Sequence, residues 1–193
     1  MLCHGHFLQG PLSDYHSLIA FAGFKRGLDL EQTIAKFSHA TYRAVGYFDC
    51  WETEKRELFL SFHNLGFSIE NYFYDWCRRG NFLFSQNHPR IFCFNGIAGE
   101  LLKQLGLKAN GGNIDVPDNL SLGPIFPIYP EIGDHYGIAG SYVFKSPGHL
   151  YSQFNLREFV TGSFMAYESI DLAEVTIPAY FAERFERIMA ARW

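Results

Sequence analysis

Asn81-Phe82-Leu83-Phe84-Ser85-Gln86-Asn87-His88-Pro89-Arg90, continued by the apolar run over residues 91–105, is the stretch on which the reading of the fold turns. Phe82, Leu83 and Phe84 predict a short buried strand, the polar residues after them a turn, and Pro89 opens an apolar segment of helix length. The pattern is strand, turn, helix. Proline is favoured at the first helical position because its missing N–H is not needed there, which puts His88 at the cap and Arg90 in the first turn. A histidine on the positive end of a helix dipole is biased toward the neutral ring that a general base requires. The N–H groups of that turn, with Arg90 beside them, suit a phosphate or carboxylate. A structural cap and a turn former would leave the same spacing, so both readings stay open at this point.

Working back toward the N-terminus, Ser68 is placed to cap a helix whose Tyr72, Phe73, Trp76 and Cys77 turn inward before Arg78, Arg79 and Gly80 close it. Asp49-Cys50-Trp51-Glu52 is read as a capping box, and behind it Trp51, Leu58, Phe62 and Leu65 recur at helical spacing. Asp29-Leu30-Glu31-Gln32 is a capping box for a helix expected to run toward Val45. Gly10-Pro11-Leu12-Ser13 is a turn, with Ser13 the expected cap of a helix from Tyr15 to Gly27. His16 then becomes a second histidine in the opening turn of a helix, with Tyr15 and Ser17 as hydrogen-bonding neighbours. Cys3-His4-Gly5-His6 offers three metal-ligand types within four residues, short of a closed site, and reads as an ordinary frayed terminus.

Beyond the central run, Ala109-Asn110-Gly111-Gly112-Asn113 is a flexible turn, and Pro117, Pro124, Pro127 and Pro130 punctuate an extended, core-hugging segment. Residues 133–145 are glycine-punctuated, with Tyr142-Val143-Phe144 a weak strand. Asn155-Leu156-Arg157-Glu158 is another capping box, and Pro178 opens an amphipathic helix with Phe181, Phe185, Ile188 and Met189 as its apolar stripe. The expected fold is one α/β domain over residues 1–193, predominantly helical, with a few short strands and a Pro/Gly-rich extended segment.

Composition narrows the function classes. At 193 residues the chain is long enough for a core without staples, and 20 Phe and 11 Tyr make it rich in rings. A net charge of −4 and a pI of about 6.0 give no basic footprint for nucleic acid. Cys3, Cys50, Cys77 and Cys93 lack metal-ligand or paired spacing and read as reduced thiols of a cytoplasmic protein. No apolar run approaches membrane-span length, and no metal site is expected. No phosphate-binding Gly-rich loop, nucleophile elbow or zinc-protease motif is present.

Four stretches taken together resemble the WcbI family of capsular polysaccharide biosynthesis enzymes. They are Gly10-Pro11-Leu12-Ser13-Asp14-Tyr15-His16-Ser17, Phe82-Leu83-Phe84-Ser85-Gln86-Asn87-His88-Pro89, Pro127-Ile128-Tyr129-Pro130, and Gly137-Ile138-Ala139-Gly140 leading to Phe144-Lys145. The likeness runs from about Gly10 to the helix near Tyr167. It implies a coenzyme A-dependent acetyltransferase acting on a bacterial surface-sugar precursor, with coenzyme A or acetyl-coenzyme A as cofactor and a sugar as co-substrate. The family's usual opening strand and Gly-Asn-Cys turn, which carries the proposed reactive cysteine, is not found in these residues. A homo-oligomer, or a separate chain supplying that segment, is therefore the expected partner. Carried over by position, the likeness marks Tyr15, His16, Ser17, Asn87 and His88 as pocket residues. His88 or His16 is the expected base, Ser17 and Asn87 the orienting groups, and Arg90 and Lys145 the phosphate contacts. Two rivals stand beside it: a binding module for coenzyme A or a sugar that no longer turns over, and a hydrolase pairing Ser17 with a histidine.

Overall fold

The computed structural model describes residues 1–108, 116–148 and 151–191. The turn expected at residues 109–113 lies outside them. The chain opens not with a frayed end but with a hairpin, β1 (Leu2–Cys3) and β2 (His6–Phe7). His4 and Gly5 turn it at φ 50° and 78°, the positive angles of a two-residue loop whose twist matches its strands. The other edge of β1 pairs with a late strand at residues 175–176, which ties the two ends of the described chain together.

The first helix, α1 (Leu18–Lys25), starts later than expected. Ser13 sits at φ 62° in a tight turn closed against Gly10, a left-handed conformation that ends local helix propagation, and the cap is Ser17. Asp29 forms the expected capping box for α2 (Leu30–Ile34), but that helix stops short. Ser38 caps a separate α3 (His39–Ala44). Then come α4 (Trp51–Asn64) and α5 (Glu70–Arg78), whose cap positions, Cys50 and Ile69, make no side-chain cap bond.

The central stretch folds as strand, turn, strand and then helix. β3 (Leu83–Ser85) pairs antiparallel with β4 (His88–Pro89) around Gln86 and Asn87, and α6 (Ile91–Gln104) begins two residues after Pro89. His88 is therefore a strand residue and not a helix cap. The extended, proline-punctuated segment follows, ending in α7 (Pro130–Tyr136), a short helix with Pro130 in its first turn and left-handed Gly137 as its stop. β5 (Phe144–Lys145) pairs with β6 (Gln153–Phe154), and Asn155 makes the expected capping box for α8 (Leu156–Glu168). After β7 (Val175–Thr176), Pro178 precedes α9 (Ala179–Ala190).

The result is an α/β fold, predominantly helical, with short antiparallel ladders. Its main core gathers Leu12, Ile19, Tyr42, Phe144, Phe159, Val160 and Ile188, all at 0% exposure, where α1, α2, α8 and α9 meet. Phe144 and Phe159 stack at 4.3 Å between ring centres. Each such side chain contributes roughly 1.5–3 kcal/mol of burial. A separate cluster of Ile69, Phe73, Trp76 and Cys93 holds α5 against α6. The seam between these two cores is where the site forms.

Candidate functional site

A cavity of about 590 Å³ opens along that seam. The approach to α1 supplies Asp14, Tyr15, His16 and Ser17. The link into α4 supplies Tyr47 and Trp51, the β3–β4 hairpin Ser85 and Asn87, the extended segment Phe126 and Tyr129, and α9 Phe181 and Arg184. Its size and mixed lining, aromatic and aliphatic side chains with a few polar groups among them, fit a small-molecule or cofactor site.

Four of the residues singled out from sequence come together here: Tyr15, His16, Ser17 and Asn87. The hairpin turn is the reason Asn87 belongs. Its Oδ1 accepts from the Tyr15 hydroxyl, 72 residues away in sequence, and from the Ser85 hydroxyl at 3.3 Å. Two donors on Oδ1 set the orientation of the amide. Its Nδ2 is then left as a two-proton donor with no partner among the described residues.

His16 is held differently. Nε2 lies 2.9 Å from the Leu8 carbonyl, which can only accept, so Nε2 carries the proton. Nδ1, 3.2 Å from the Tyr167 hydroxyl, is then the acceptor. Burial lowers the ring's pKa from 6.5, with the Leu8 carbonyl pulling the other way, and His16 stays neutral near pH 7. Gly10 leaves room for it, since a Cβ there would stand 2.8 Å from Cε1 of the ring. Ser17 is buried, and its hydroxyl accepts from Ala20 N–H at 3.4 Å as the α1 cap. Among the described residues no histidine nitrogen bonds it, so no Ser17/His pair of a hydrolase is assembled there.

Three expected residues stand off the cavity wall. His88 packs edge-on to Tyr15, 6.1 Å between ring centres, and its Nδ1 is buried without a partner among the described residues, facing Gly123. Arg90 turns back: its Nε donates to the Asn81 carbonyl at 2.8 Å and its guanidinium lies 4.3 Å from the centre of the Phe84 ring. The expected anion site at the start of α6 is filled from within, because Asp118 Oδ2 accepts from Ile91 N–H at 2.9 Å. Lys145, 3% exposed, donates to the Gly123 carbonyl at 2.6 Å and to those of Ser146 and Leu122 at 3.3 and 3.4 Å. Desolvation lowers its pKa, and its ammonium serves the loop and not a ligand.

Sequence reasoning missed Asp14, Ser85, Trp51, Tyr129, Phe181 and Arg184 as cavity residues. Ser85 had a signal, its place two residues before Asn87 in the hairpin. Tyr129 is buried beside Ser17, and its phenol pKa is pushed well up by that burial. Phe181 and Arg184, three apart, share a helix face, whereas the expected stripe placed Phe181 in the core with Phe185.

A family model described as polysaccharide biosynthesis enzyme WcbI matches residues 3–110. The chain belongs to this family. Of the four stretches that carry the resemblance, those at residues 10–17 and 82–89 fall inside the match and those at 127–130 and 137–145 beyond its end. No curated protein and no solved structure gives a match. WcbI membership ties the chain to polysaccharide biosynthesis, and the matched segment contributes Tyr15, Ser85 and Asn87. None of the described helices is long and apolar enough to cross a membrane.

Proposed function

We propose that the cavity holds the acyl end of an acyl-coenzyme A, most simply acetyl-coenzyme A, and that the protein transfers the acyl group to a hydroxyl of a surface-polysaccharide precursor. The orientation of Asn87 carries this reading. With Oδ1 occupied by the Tyr15 and Ser85 hydroxyls, the Asn87 amide N–H groups are donors fixed before any ligand arrives. A thioester carbonyl placed there would gain a hydrogen bond that strengthens as its oxygen becomes negative during attack. Attack by the sugar hydroxyl forms the new ester bond, breaks the carbon–sulfur bond and releases the coenzyme A thiol. The hydroxyl proton needs an acceptor at the cavity, which Asp14 could supply directly and His16 only on release of its Nδ1.

One observation favours a second reading, binding without turnover. Both nitrogens of His16 are engaged, so the histidine that borders the cavity offers a base only after the Tyr167 hydroxyl lets go of Nδ1. Calorimetric titration with acetyl-coenzyme A, followed by an assay for free thiol with sugar acceptors, separates the two. Saturable binding with thiol release supports transfer, and binding without release supports the module. Absence of binding overturns both. In Asn87→Ala, transfer should fall on the order of a hundredfold, the loss typical of a removed oxyanion donor.

A further inference from the structure

α6 is apolar on two faces, and the described fold covers one of them. Toward α5 it turns Cys93, Ile97 and Gly96, where a Cβ would stand 3.0 Å from the Tyr72 ring and 3.2 Å from the Trp76 indole. That face closes the second core. The other carries Phe94, Ala98, Leu101 and, at the C-cap, Leu105, and it is open: Phe94 is 43% exposed, Leu101 41% and Leu105 61%. A helix apolar on more than one side is ordinarily enclosed on more than one side.

The spacing of the open stripe says what would cover it. Its residues follow at intervals of four, three and four along the length of α6, the a/d seam by which one helix receives another. The two charged residues of α6, Glu100 and Lys103, lie off the stripe and pair with each other at 3.7 Å. The positions flanking it are Ile91, Asn95, Leu102 and Gln104, none of them charged. A neutral stripe meets an identical one without like-charge contact, so it is complementary to itself about a two-fold axis. A bilayer surface fits less well, because interfacial helices carry a basic polar face and α6 has one lysine, paired with Glu100, in a chain of net charge −4. The apolar surface continues past the helix end. Gln104 Nε2 donates to the Gly66 carbonyl at 2.7 Å, which brings Leu65, 71% exposed, to the end that carries Leu105 and Leu107.

We infer that α6 is the contact face of a homodimer in which two copies of the helix pack antiparallel, Phe94 against the partner's Leu105 and Ala98 against the partner's Leu101. In that register the small side chain of Ala98 makes room for a leucine, and opposite ends of the two helix dipoles meet. α6 is about 21 Å long. One such helix pair, extended by Leu65 and Leu107, covers less than the roughly 800 Å² per partner of a standard interface, so the dimer is reversible, with a Kd of roughly 1–100 μM. No residue of α6 lines the cavity, and the pairing is independent of the acyl-transfer reading above.

Sedimentation equilibrium on the full chain from about 1 to about 500 μM tests the pairing. The parent protein should pass from monomer to dimer across that range. Leu101→Glu and Ala98→Lys each bring an unpaired charge into the seam from both copies, and each should weaken the dimer about a hundredfold or more. Melting curves at the lowest concentration check that the variants are folded. An equimolar mixture of the two variants should dimerise again, because the antiparallel register sets position 101 of one chain opposite position 98 of the other and makes a Glu–Lys contact there. A parent protein that stays monomeric throughout overturns the interface, as does a dimer that both variants leave intact. A dimer lost in both variants and not regained in their mixture keeps α6 as the face and overturns the antiparallel register. Phosphatidylcholine vesicles that bind the parent but not Leu101→Glu, with no dimer in solution, would assign the stripe to a bilayer and overturn the homodimer.

Discussion

The starts of α1 and α6 look alike in sequence and differ in the folded chain. Each has a histidine and a polar neighbour just ahead of an apolar helical run. At α1 the cap is Ser17 itself, and the residues before it border an open cavity. At α6 the cap position, Arg90, makes no side-chain cap bond, and Asp118 reaches in from 27 residues away to take the first N–H. The histidines divide in the same way. His16 has both nitrogens bonded and stands on the cavity, whereas His88 has a buried Nδ1 without a partner among the described residues and stands behind it. A helix start is a local property, but whether it can meet a ligand is set by what the rest of the chain places in front of it.

The largest expected effect probes the two rings directly. His16→Ala leaves the Leu8 carbonyl and the Tyr167 hydroxyl without partners in a half-buried site, and should cost about 2–4 kcal/mol of stability. His88→Ala removes a ring whose Nδ1 has no partner among the described residues, and should cost about 1 kcal/mol. Urea midpoints measure both, and equal losses would break the contrast between the two sites.

Titration sharpens it. Burial lowers the His16 pKa from 6.5, so the unfolded chain takes up a proton at a higher pH than the folded one. The contribution of His16 is complete above pH 6.5 and is lost as the pH falls toward the lowered folded value. Unfolding midpoints measured from pH 8 downward should therefore drop below 6.5, and the His16→Gln variant should show a shallower drop. A pH dependence unchanged by that substitution would mean the neutral ring is not what the fold selects.

Next in size is the cap. Asp118→Ala should destabilise the protein by about 1 kcal/mol through loss of the bond to Ile91 N–H, while Asp118→Asn, still an acceptor, should lose less. Removing the carboxylate also exposes the start of α6. Acetyl-coenzyme A affinity should nevertheless stay where it was, because that helix start is not part of the cavity.

What could be read in advance follows the same division. The capping boxes at Asp29 and Asn155 and the opening of α9 behind Pro178 depend on neighbours within one turn, and they appear as expected. The hairpin between Leu83 and Pro89 reads in sequence as strand and helix because strands of three and two residues are too short for alternation to show. Ser13 has the side chain of a cap, but its left-handed backbone is imposed by closure onto Gly10, which the side chain does not announce. At the site, Tyr15, His16, Ser17 and Asn87 were legible as polar residues in distinctive short runs. Lys145 and Arg90 were misplaced because a cation's partner, here a set of backbone carbonyls, is a tertiary fact. Arg184 was hidden among alternating charges on an amphipathic helix, where only the folded chain separates a solvated arginine from one that faces a cavity.

The smallest expected effect on stability bears most directly on the cavity. Tyr15→Phe removes the hydroxyl that donates to Asn87 Oδ1 and changes nothing in the core, so the unfolding free energy should move by no more than about 0.5 kcal/mol. The Asn87 amide then keeps only the Ser85 hydroxyl at 3.3 Å. With one of its two restraints gone it can rotate, and acetyl-coenzyme A affinity should fall roughly three- to tenfold, the worth of one neutral hydrogen bond. Ser85→Ala should behave similarly. The double variant decides between two accounts of the site: if Tyr15 and Ser85 act by jointly orienting one amide, their losses will not add, because the second removal finds the amide already free. Strict additivity in a double-mutant cycle would instead mean that each hydroxyl meets the ligand on its own, and Asn87 would lose its place as the oriented donor.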